Sequence, residues 1–229
     1  MSPATGTTPV ELRHNRVSLA LHTVPSGAAP EPDGGSSRPL LLLHGLGERT
    51  PRVLPGHIRW SGTVFGLDFT GHGASTVPAG GGYTSEILVG DVDAALCHID
   101  EPVTVLGRGL GAYVALLVAA ARPEVVRGTV MLDGPGIAGG GVHPGTRALV
   151  NPVLSHPGSS PDQYAMMELA RDVRPPDYAR TFAGFAVDRS ELEVPLWVAA
   201  KVRPAWVEAI LEVPGVGSGP LEEGLDLYR

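Results

Sequence analysis

The sequence contains one cysteine, one lysine and few aromatic residues. A single cysteine, Cys97, excludes an intramolecular disulfide and any cysteine-rich metal site, so a reducing compartment is expected. Lys201 is the one lysine among 17 Lys and Arg residues, and the formal net charge is −7. Because a nucleic-acid surface needs clustered Lys and Arg, this balance argues against a nucleic-acid partner.

Long apolar runs are also missing. No stretch reaches the roughly 20 apolar residues that cross a bilayer, and no basic region followed by an apolar one opens the sequence. We therefore expect a soluble, cytoplasmic protein with no membrane contact. Its 229 residues, 43% of them hydrophobic, suit one sizeable domain or a core with one insertion.

The rest of the chain is organised around residues 103–121. A short, mostly apolar segment ends in glycines at 107, 109 and 111 and leads directly into an apolar, alanine-rich run. This pattern predicts a strand, a sharp turn and a helix.

Two motifs fit the turn. Gly107 and Gly111 stand where glycines flank the serine of a nucleophile elbow, G-x-S-x-G, but Gly109 holds the serine's place. Gly107, Gly109 and Ala112 also satisfy G-x-G-x-x-A, and Asp133 ends the next apolar run, as in a dinucleotide-binding fingerprint.

Apolar strands alternate with helices over residues 39–133, which predicts an α/β fold with a mainly parallel sheet and helices on both faces. Alternating runs near the N-terminus predict an antiparallel strand, or a hairpin, at a sheet edge, and residues 48–61 are too short and proline-broken for a long helix. Besides the strand, turn and helix of residues 103–121, the predicted strands cover 39–47, 62–68, 128–133 and 194–200, and the predicted helices cover 84–99 and 205–211.

Residues 134–190 interrupt this rhythm with glycine and proline clusters, and only 163–173 is predicted to be helical there. An insertion at the carboxyl edge of such a sheet usually covers a pocket. The predicted division is a core of residues 1–133 and 191–229 and a lid or cap of residues 134–190.

Three features resemble the α/β-hydrolase superfamily, in its order and at its spacing. They are His44-Gly45 after the first long strand, the Asp68–Ser75 turn that matches D-x-x-G-H-G-x-S, and the elbow at 107–111. The resemblance covers residues 39–135 well and 194–223 more loosely. It implies an eight-stranded sheet, a lid after the sixth strand and a Ser, acid and His triad in that order.

The sequence departs from that triad at every position. Gly109 replaces the nucleophile, and Lys201-Val202-Arg203-Pro204 follows the seventh strand where an Asp is usual. Ser218 stands in the histidine's place. Asp133 occupies an alternative acid position but has no base to orient. The elbow is also similar to that of the N-myc downstream-regulated family, a non-catalytic branch of the superfamily.

By this resemblance, the backbone N–H groups of Leu46 and Leu110 form an oxyanion hole. His72 is interpreted as a structural residue, and Cys97 as a small core residue. Arg108 and Arg203 are either solvated or paired with Asp133 or an acidic ligand. The predicted ligand-binding residues are His44, Gly45, Leu46, Arg108, Gly109, Leu110 and Asp133.

The sequence therefore predicts a catalytically vacated protein that binds a small apolar ligand or a protein partner between elbow and lid. A hydrolase or lyase without a covalent serine intermediate, with His44 or His72 as base, is the first alternative. A dinucleotide-binding protein is the second. No cofactor is expected, and no metal, because His143 and His156 lack metal-ligand spacing. The ligand and the oligomeric state stay open.

Overall fold

In the computed structural model, residues 8–26, 38–142 and 158–229 are described, and they contain one eight-stranded sheet. The strands are β1 (Val10–His14), β2 (Val17–Thr23), β3 (Leu40–Leu43), β4 (Val64–Asp68), β5 (Val103–Arg108), β6 (Val126–Leu132), β7 (Leu196–Val198) and β8 (Val216–Ser218).

The sheet order is β1-β2-β4-β3-β5-β6-β7-β8. Strand β2 pairs antiparallel with both β1 and β4, whereas every pairing from β4 to β8 is parallel. This arrangement confirms the predicted mainly parallel sheet, with an antiparallel hairpin at one edge. The carboxyl ends of β3, β5 and β6 consequently lie side by side, which places the loops that follow them at one site.

In the described ranges, six helices accompany the sheet: α1 (Ser85–Ile99), α2 (Leu110–Ala121), α3 (Gln163–Arg171), α4 (Pro176–Arg189), α5 (Ala205–Leu211) and α6 (Leu221–Asp226). Thr84 caps α1 by accepting a hydrogen bond from the Ile87 N–H, as its sequence position predicts. Every residue of α2 except Ala121 is buried. A helix covered on all sides has no polar stripe, which explains its uniformly apolar sequence.

Helix α4 was not predicted, because Pro175-Pro176 looked like a break. Pro176 instead occupies the first turn of the helix, where its missing N–H would have no partner in any case. Ala179, Ala183 and Ala186 are buried, and the helix packs against α2 and α5. Part of the predicted lid therefore belongs to the helical layer of the fold, and the division into core and lid stays a prediction.

The two faces of the sheet are covered differently. Leu41, Leu43 and Val105 face the larger core cluster, with α1 and α2. Leu42 and Leu106, which alternate with them, face a smaller cluster that includes residues from the loop 48–61 and from the C-terminal segment. No helix forms in residues 48–61, which agrees with the prediction that this segment cannot hold a long one, so this face is covered by irregular chain and the short α6.

Cys97 is exposed, which corrects its assignment to the core. The buried side of α1 carries Leu88, Val92, Ala95 and Leu96. Cys97 follows Leu96 by one residue, about 100° further round the helix, and so lies off this side. Among the described residues, no helix is long and apolar enough to cross a membrane.

Tyr228, in the C-terminal segment, packs against Gly128 of β6. A Cβ added to Gly128 would lie 2.3 Å from Cγ of the Tyr228 ring, and Gly128 has φ +137°. We expect Gly128→Ala to lower the free energy of unfolding by about 2 kcal/mol or more, because the methyl group meets both a ring and an unfavourable backbone conformation. Urea unfolding measures this change. Gly184→Ala, where an added Cβ meets nothing within 4 Å, is the control and should not destabilise the protein.

Candidate functional site

The elbow between β5 and α2 keeps the sharp backbone turn of its motif. Gly109 has φ +60° and ψ −116°. A Cβ on Gly107 would lie 2.3 Å from the Gly111 carbonyl oxygen, and one on Gly111 would lie 2.4 Å from the Leu43 carbonyl oxygen. The flanking glycines are thus required by the close approach of strand, turn and helix, whether or not the turn carries a nucleophile.

The space beside Gly109 is filled by the chain's own backbone. A Cβ on Gly109 would lie 2.2 Å from the carbonyl oxygen of Pro135 and 2.6 Å from the carbonyl carbon of Gly134. Real Cβ atoms do not approach backbone this closely. The place of a catalytic serine side chain is therefore occupied by the loop that follows β6.

The same loop engages the predicted oxyanion hole. The backbone N–H groups of Leu46 and Leu110 both donate to the carbonyl oxygen of Pro135, at 3.0 and 2.9 Å. The two donors predicted from the sequence do converge on one point. That point holds a carbonyl oxygen of this chain, so in this conformation the donors are satisfied internally.

Two further donors hold the loop from the other side. The Ile137 carbonyl oxygen accepts from Arg174 Nη1 at 2.5 Å and from Trp206 Nε1 at 2.7 Å. Arg174 is fully buried and its guanidinium stacks on the ring of Tyr113, 4.6 Å from the centroid. Burial lowers the pKa of Arg174 to about 10, so the group is still charged at neutral pH. The four donors fix Pro135 and Ile137 over the elbow.

His44 and His72 are buried with both ring nitrogens engaged. Nε2 of His44 accepts from the Phe69 N–H at 3.1 Å, and Nε2 of His72 accepts from the Gly47 N–H at 3.1 Å. Each Nδ1 must then carry the proton, which His44 donates to the Gly45 carbonyl and His72 to that of Thr70. Burial, helped by nearby His72, lowers the pKa of His44 to about 4, and burial also lowers the pKa of His72.

The Asp68–Ser75 turn is held by two buried carboxylates. Asp68 accepts from the N–H groups of Thr50 and Ala74 and from His22, and although burial opposes ionisation, these hydrogen bonds hold its pKa at about 2. Asp91, on α1, accepts from the N–H and hydroxyl of Thr70. The motif thus fixes the chain beneath the site, which agrees with the structural interpretation of His72.

Asp133 lies apart from this cluster. Its carboxylate accepts from the N–H groups of Lys201 and Val202, at 2.7 and 2.8 Å. Within the described part of the chain, neither Arg108 nor Arg203 forms an ion pair with it. Asp133 therefore ties β6 to the turn after β7. Ser218 is exposed and lines a groove of about 710 Å³ with Lys201 and Arg203.

Arg108 pairs with Glu48 instead of Asp133. The other oxygen of Glu48 accepts from the Gly45 N–H at 3.0 Å. His44 and Arg108 both line a cavity of about 360 Å³ between the carboxyl ends of β3, β5 and β6 and the loop 48–58. The predicted ligand-binding residues therefore do not form one site. Leu46, Gly109 and Leu110 contact the loop after β6. His44 and Arg108 line the cavity, and Asp133 lies apart from both.

Sequence reasoning missed Pro135, Glu48 and Arg174. In the sequence, residues 134–136 stand out only as a break in the helix and strand pattern, and no local signal predicts that the Pro135 carbonyl reaches the elbow. His143 and His156 lie outside the described residues. Within 8–26, 38–142 and 158–229, no three His, Cys, Asp or Glu side chains group as metal ligands.

The dinucleotide alternative is not favoured by this geometry. Strands β1 to β4 of the described residues come before β5 and its glycine-rich turn, whereas the fingerprint normally opens the first βαβ unit of its domain. Asp133, its expected ribose acceptor, has both oxygens engaged by backbone N–H groups of this chain.

Comparisons with known proteins agree with the fold. 2-Hydroxymuconate semialdehyde hydrolase from Pseudomonas sp. (strain CF600) is 28% identical over 112 residues, which cover 46% of this chain and 40% of that enzyme. The match thus spans less than half the length of that curated relative.

Two solved structures resemble nearly the whole chain. They are Est816, an N-acyl homoserine lactone degrading enzyme (15% identity, TM-score 0.61, 93% and 91% of the two chains), and the N-formylmaleamic acid deformylase Nfo from Pseudomonas putida S16 (17%, 0.62, 93% and 92%). At these identities the likeness concerns the fold alone. The sequence model of the alpha/beta hydrolase family matches residues 40–226, and this chain therefore belongs to the alpha/beta hydrolase family.

Proposed function

We propose that this protein is a non-hydrolytic member of its family that acts by binding a small ligand. The observation that carries the proposal is the position of the Pro135 carbonyl oxygen, which accepts from both oxyanion-hole donors. A substrate carbonyl needs that same position for its developing negative charge. The chain's own carbonyl excludes it as long as the loop stays in place.

The missing side chains support the same proposal. Covalent acyl transfer needs a nucleophile and a base within hydrogen-bond reach of each other. Gly109 supplies no nucleophilic atom, and Ser218 in the histidine's place is no base at neutral pH. Losing both at once removes the covalent route, whereas the fold and its cavities remain available for binding.

The region between elbow and lid, where the sequence favoured a ligand, is taken up by residues 134–137. We therefore place the proposed binding site in the neighbouring cavity lined by His44 and Arg108. The protein-partner form of the hypothesis stays a prediction, as does the likeness to the N-myc downstream-regulated family.

A hydrolase that works without a covalent serine is the second candidate, and the family itself favours it. Such an enzyme needs the loop 134–137 to leave the oxyanion hole and needs a base with a free nitrogen. His44 and His72 offer none while both nitrogens of each ring are hydrogen-bonded. Positioned donors alone can still leave about 10³-fold catalysis over water, so a turnover assay decides between the candidates.

The first test restores the missing nucleophile. Gly109→Ser is expected to show no hydrolysis of p-nitrophenyl butyrate above the wild-type rate, and the wild type none above buffer. The same variant should lose about 2 kcal/mol or more of unfolding free energy, because its Cβ would lie 2.2 Å from the Pro135 carbonyl oxygen at φ +60°.

Gly184→Ser is the matched control, since an added Cβ there meets nothing within 4 Å. It should keep the wild-type stability within about 0.5 kcal/mol. Measurable ester turnover by the wild type would contradict the proposal. A fully stable Gly109→Ser would contradict the position of the loop.

The second test uses pH. Because the folded pKa of His44, about 4, lies below the usual 6.5, its contribution to stability is full above pH 6.5 and is lost as the pH falls towards 4. We expect this residue to make the free energy of unfolding fall by about 3 kcal/mol between pH 7 and pH 4. Urea unfolding across that range measures it.

His44→Asn should flatten this pH dependence, because the variant has no buried imidazole to protonate. NMR of the imidazole protons across this pH range measures the pKa of His44 directly. A His44 that titrates near pH 6.5 in the folded protein would revive the histidine-base hydrolase and argue against the hydrogen bonds described above.

A further inference from the structure

The cavity of about 360 Å³ lies on the face of the sheet opposite α2. Strand alternation places Arg108 on the same face as Leu106, because the two residues are two positions apart on β5. Leu42 of β3 and Leu132 of β6 reach the cavity from the neighbouring strands, and the loop residues Thr50, Pro51, Pro55, His57 and Ile58 form its other wall. Its volume falls within the range of small-molecule sites.

The cavity exists because irregular chain covers this part of the sheet. The loop 48–61 is fastened at separate points: the Thr50 N–H donates to Asp68, the Leu54 N–H to the Pro25 carbonyl, and Trp60 Nε1 to the Arg38 carbonyl. Between these points the two prolines prevent a helix from forming over the sheet. The loop is thus fixed in place without filling the space above Leu42 and Leu106.

The cavity combines apolar walls with an excess of positive charge. Arg49 and Arg108 both line it, and Glu48 is the one carboxylate among its lining residues. Glu48 pairs with Arg108, and in the described part of the chain Arg49 has no carboxylate within ion-pair distance. In a protein of net charge −7, such a site favours an anion.

We propose that this cavity binds a small carboxylate with an unbranched apolar body, in the manner of a medium-chain fatty acid. This assignment rests on the proposed function and specifies its ligand class. The apolar body lies against Leu42, Leu106 and Leu132, where burial raises affinity by roughly fourfold for each CH₂ group. The carboxylate takes a charge-assisted hydrogen bond from Arg108, in competition with Glu48, which keeps the Gly45 N–H.

Isothermal titration calorimetry of the full-length protein with octanoate tests the proposal. We expect one octanoate per chain, about fifteenfold weaker binding of hexanoate, which has two CH₂ groups fewer, and no detectable binding of acetate. 1-Octanol, which has nearly the same apolar body but no charge, should bind at least about tenfold more weakly than octanoate. Equal affinity for octanoate and 1-octanol would show that the arginines do not recognise the carboxylate, and this result would overturn the proposal.

We expect substitutions of Arg108 and of Glu48, which both line the cavity, to change the affinity for octanoate in opposite directions. Arg108→Gln should weaken octanoate binding by about tenfold, whereas Glu48→Gln should strengthen it severalfold by removing the competitor for Arg108. Arg203→Gln, at an exposed arginine on the other groove, is the matched control and should change nothing. An equal loss in Arg203→Gln, or the same direction of change in both Arg108→Gln and Glu48→Gln, would overturn the assignment.

Filling the cavity provides an independent reading. Leu132 is half-buried at the end of β6, so Leu132→Trp places additional volume in the cavity and should abolish octanoate binding. Urea unfolding shows whether Leu132→Trp is folded. If it is not, the Arg108 and Glu48 variants still test the proposal. Undiminished binding by a folded Leu132→Trp would overturn the proposal.

A parallel assay with p-nitrophenyl octanoate tests the proposed non-hydrolytic function separately from the proposed ligand class. Turnover of this ester by the wild type would overturn the proposed function, whatever the calorimetry shows. Absence of both turnover and octanoate binding would overturn the ligand assignment alone and leave the non-hydrolytic function standing.

Discussion

The carbonyl oxygen of Pro135 accepts hydrogen bonds from Leu46 and Leu110, and through it three segments of the chain meet. Leu46 belongs to the turn after β3, Leu110 begins α2, and Pro135 follows β6. Two donors that converge on one acceptor fix the relative positions of these segments at the carboxyl edge of the sheet. A backbone carbonyl with two N–H partners is fully satisfied, so this acceptor and both of its donors are paired.

Gly109 and this loop are mutually dependent. The loop fits against the elbow because residue 109 has no side chain, and a side chain at 109 is excluded because the loop is there. Arg174, which precedes α4, and Trp206 of α5 secure the far end of the same loop through the Ile137 carbonyl, so two further segments help to cover a site built from β3 and β5. In this conformation, contacts from several segments at the carboxyl edge of the sheet hold residues 134–137 over the elbow.

The residues of the hydrolase-like motifs make packing contacts and hydrogen bonds here. Gly107 and Gly111 allow close contact between β3, β5 and α2, and the carboxylates of Asp68 and Asp91 hold the turn that carries His72. Both buried histidines act as neutral hydrogen-bonding groups between backbone segments. The cavity beside Arg108 then results from a different feature, the proline-broken loop 48–61, which leaves one face of the sheet incompletely covered.

The sequence by itself determined the fold class, an antiparallel edge to the sheet and helices α1, α2, α3 and α5, and it shows directly that residue 109 is a glycine and that no histidine follows His156. These depend on local periodicity and on residue identity, which a sequence displays directly. Helix α4 was missed because a proline pair breaks most helices but is tolerated in the first turn. Only the tertiary structure decided where the Pro135 carbonyl lies, that Arg108 pairs with Glu48, and that Asp133 binds backbone N–H groups. Each of these contacts joins residues far apart in the chain, and no local pattern specifies which distant donor a given carbonyl or carboxylate will meet.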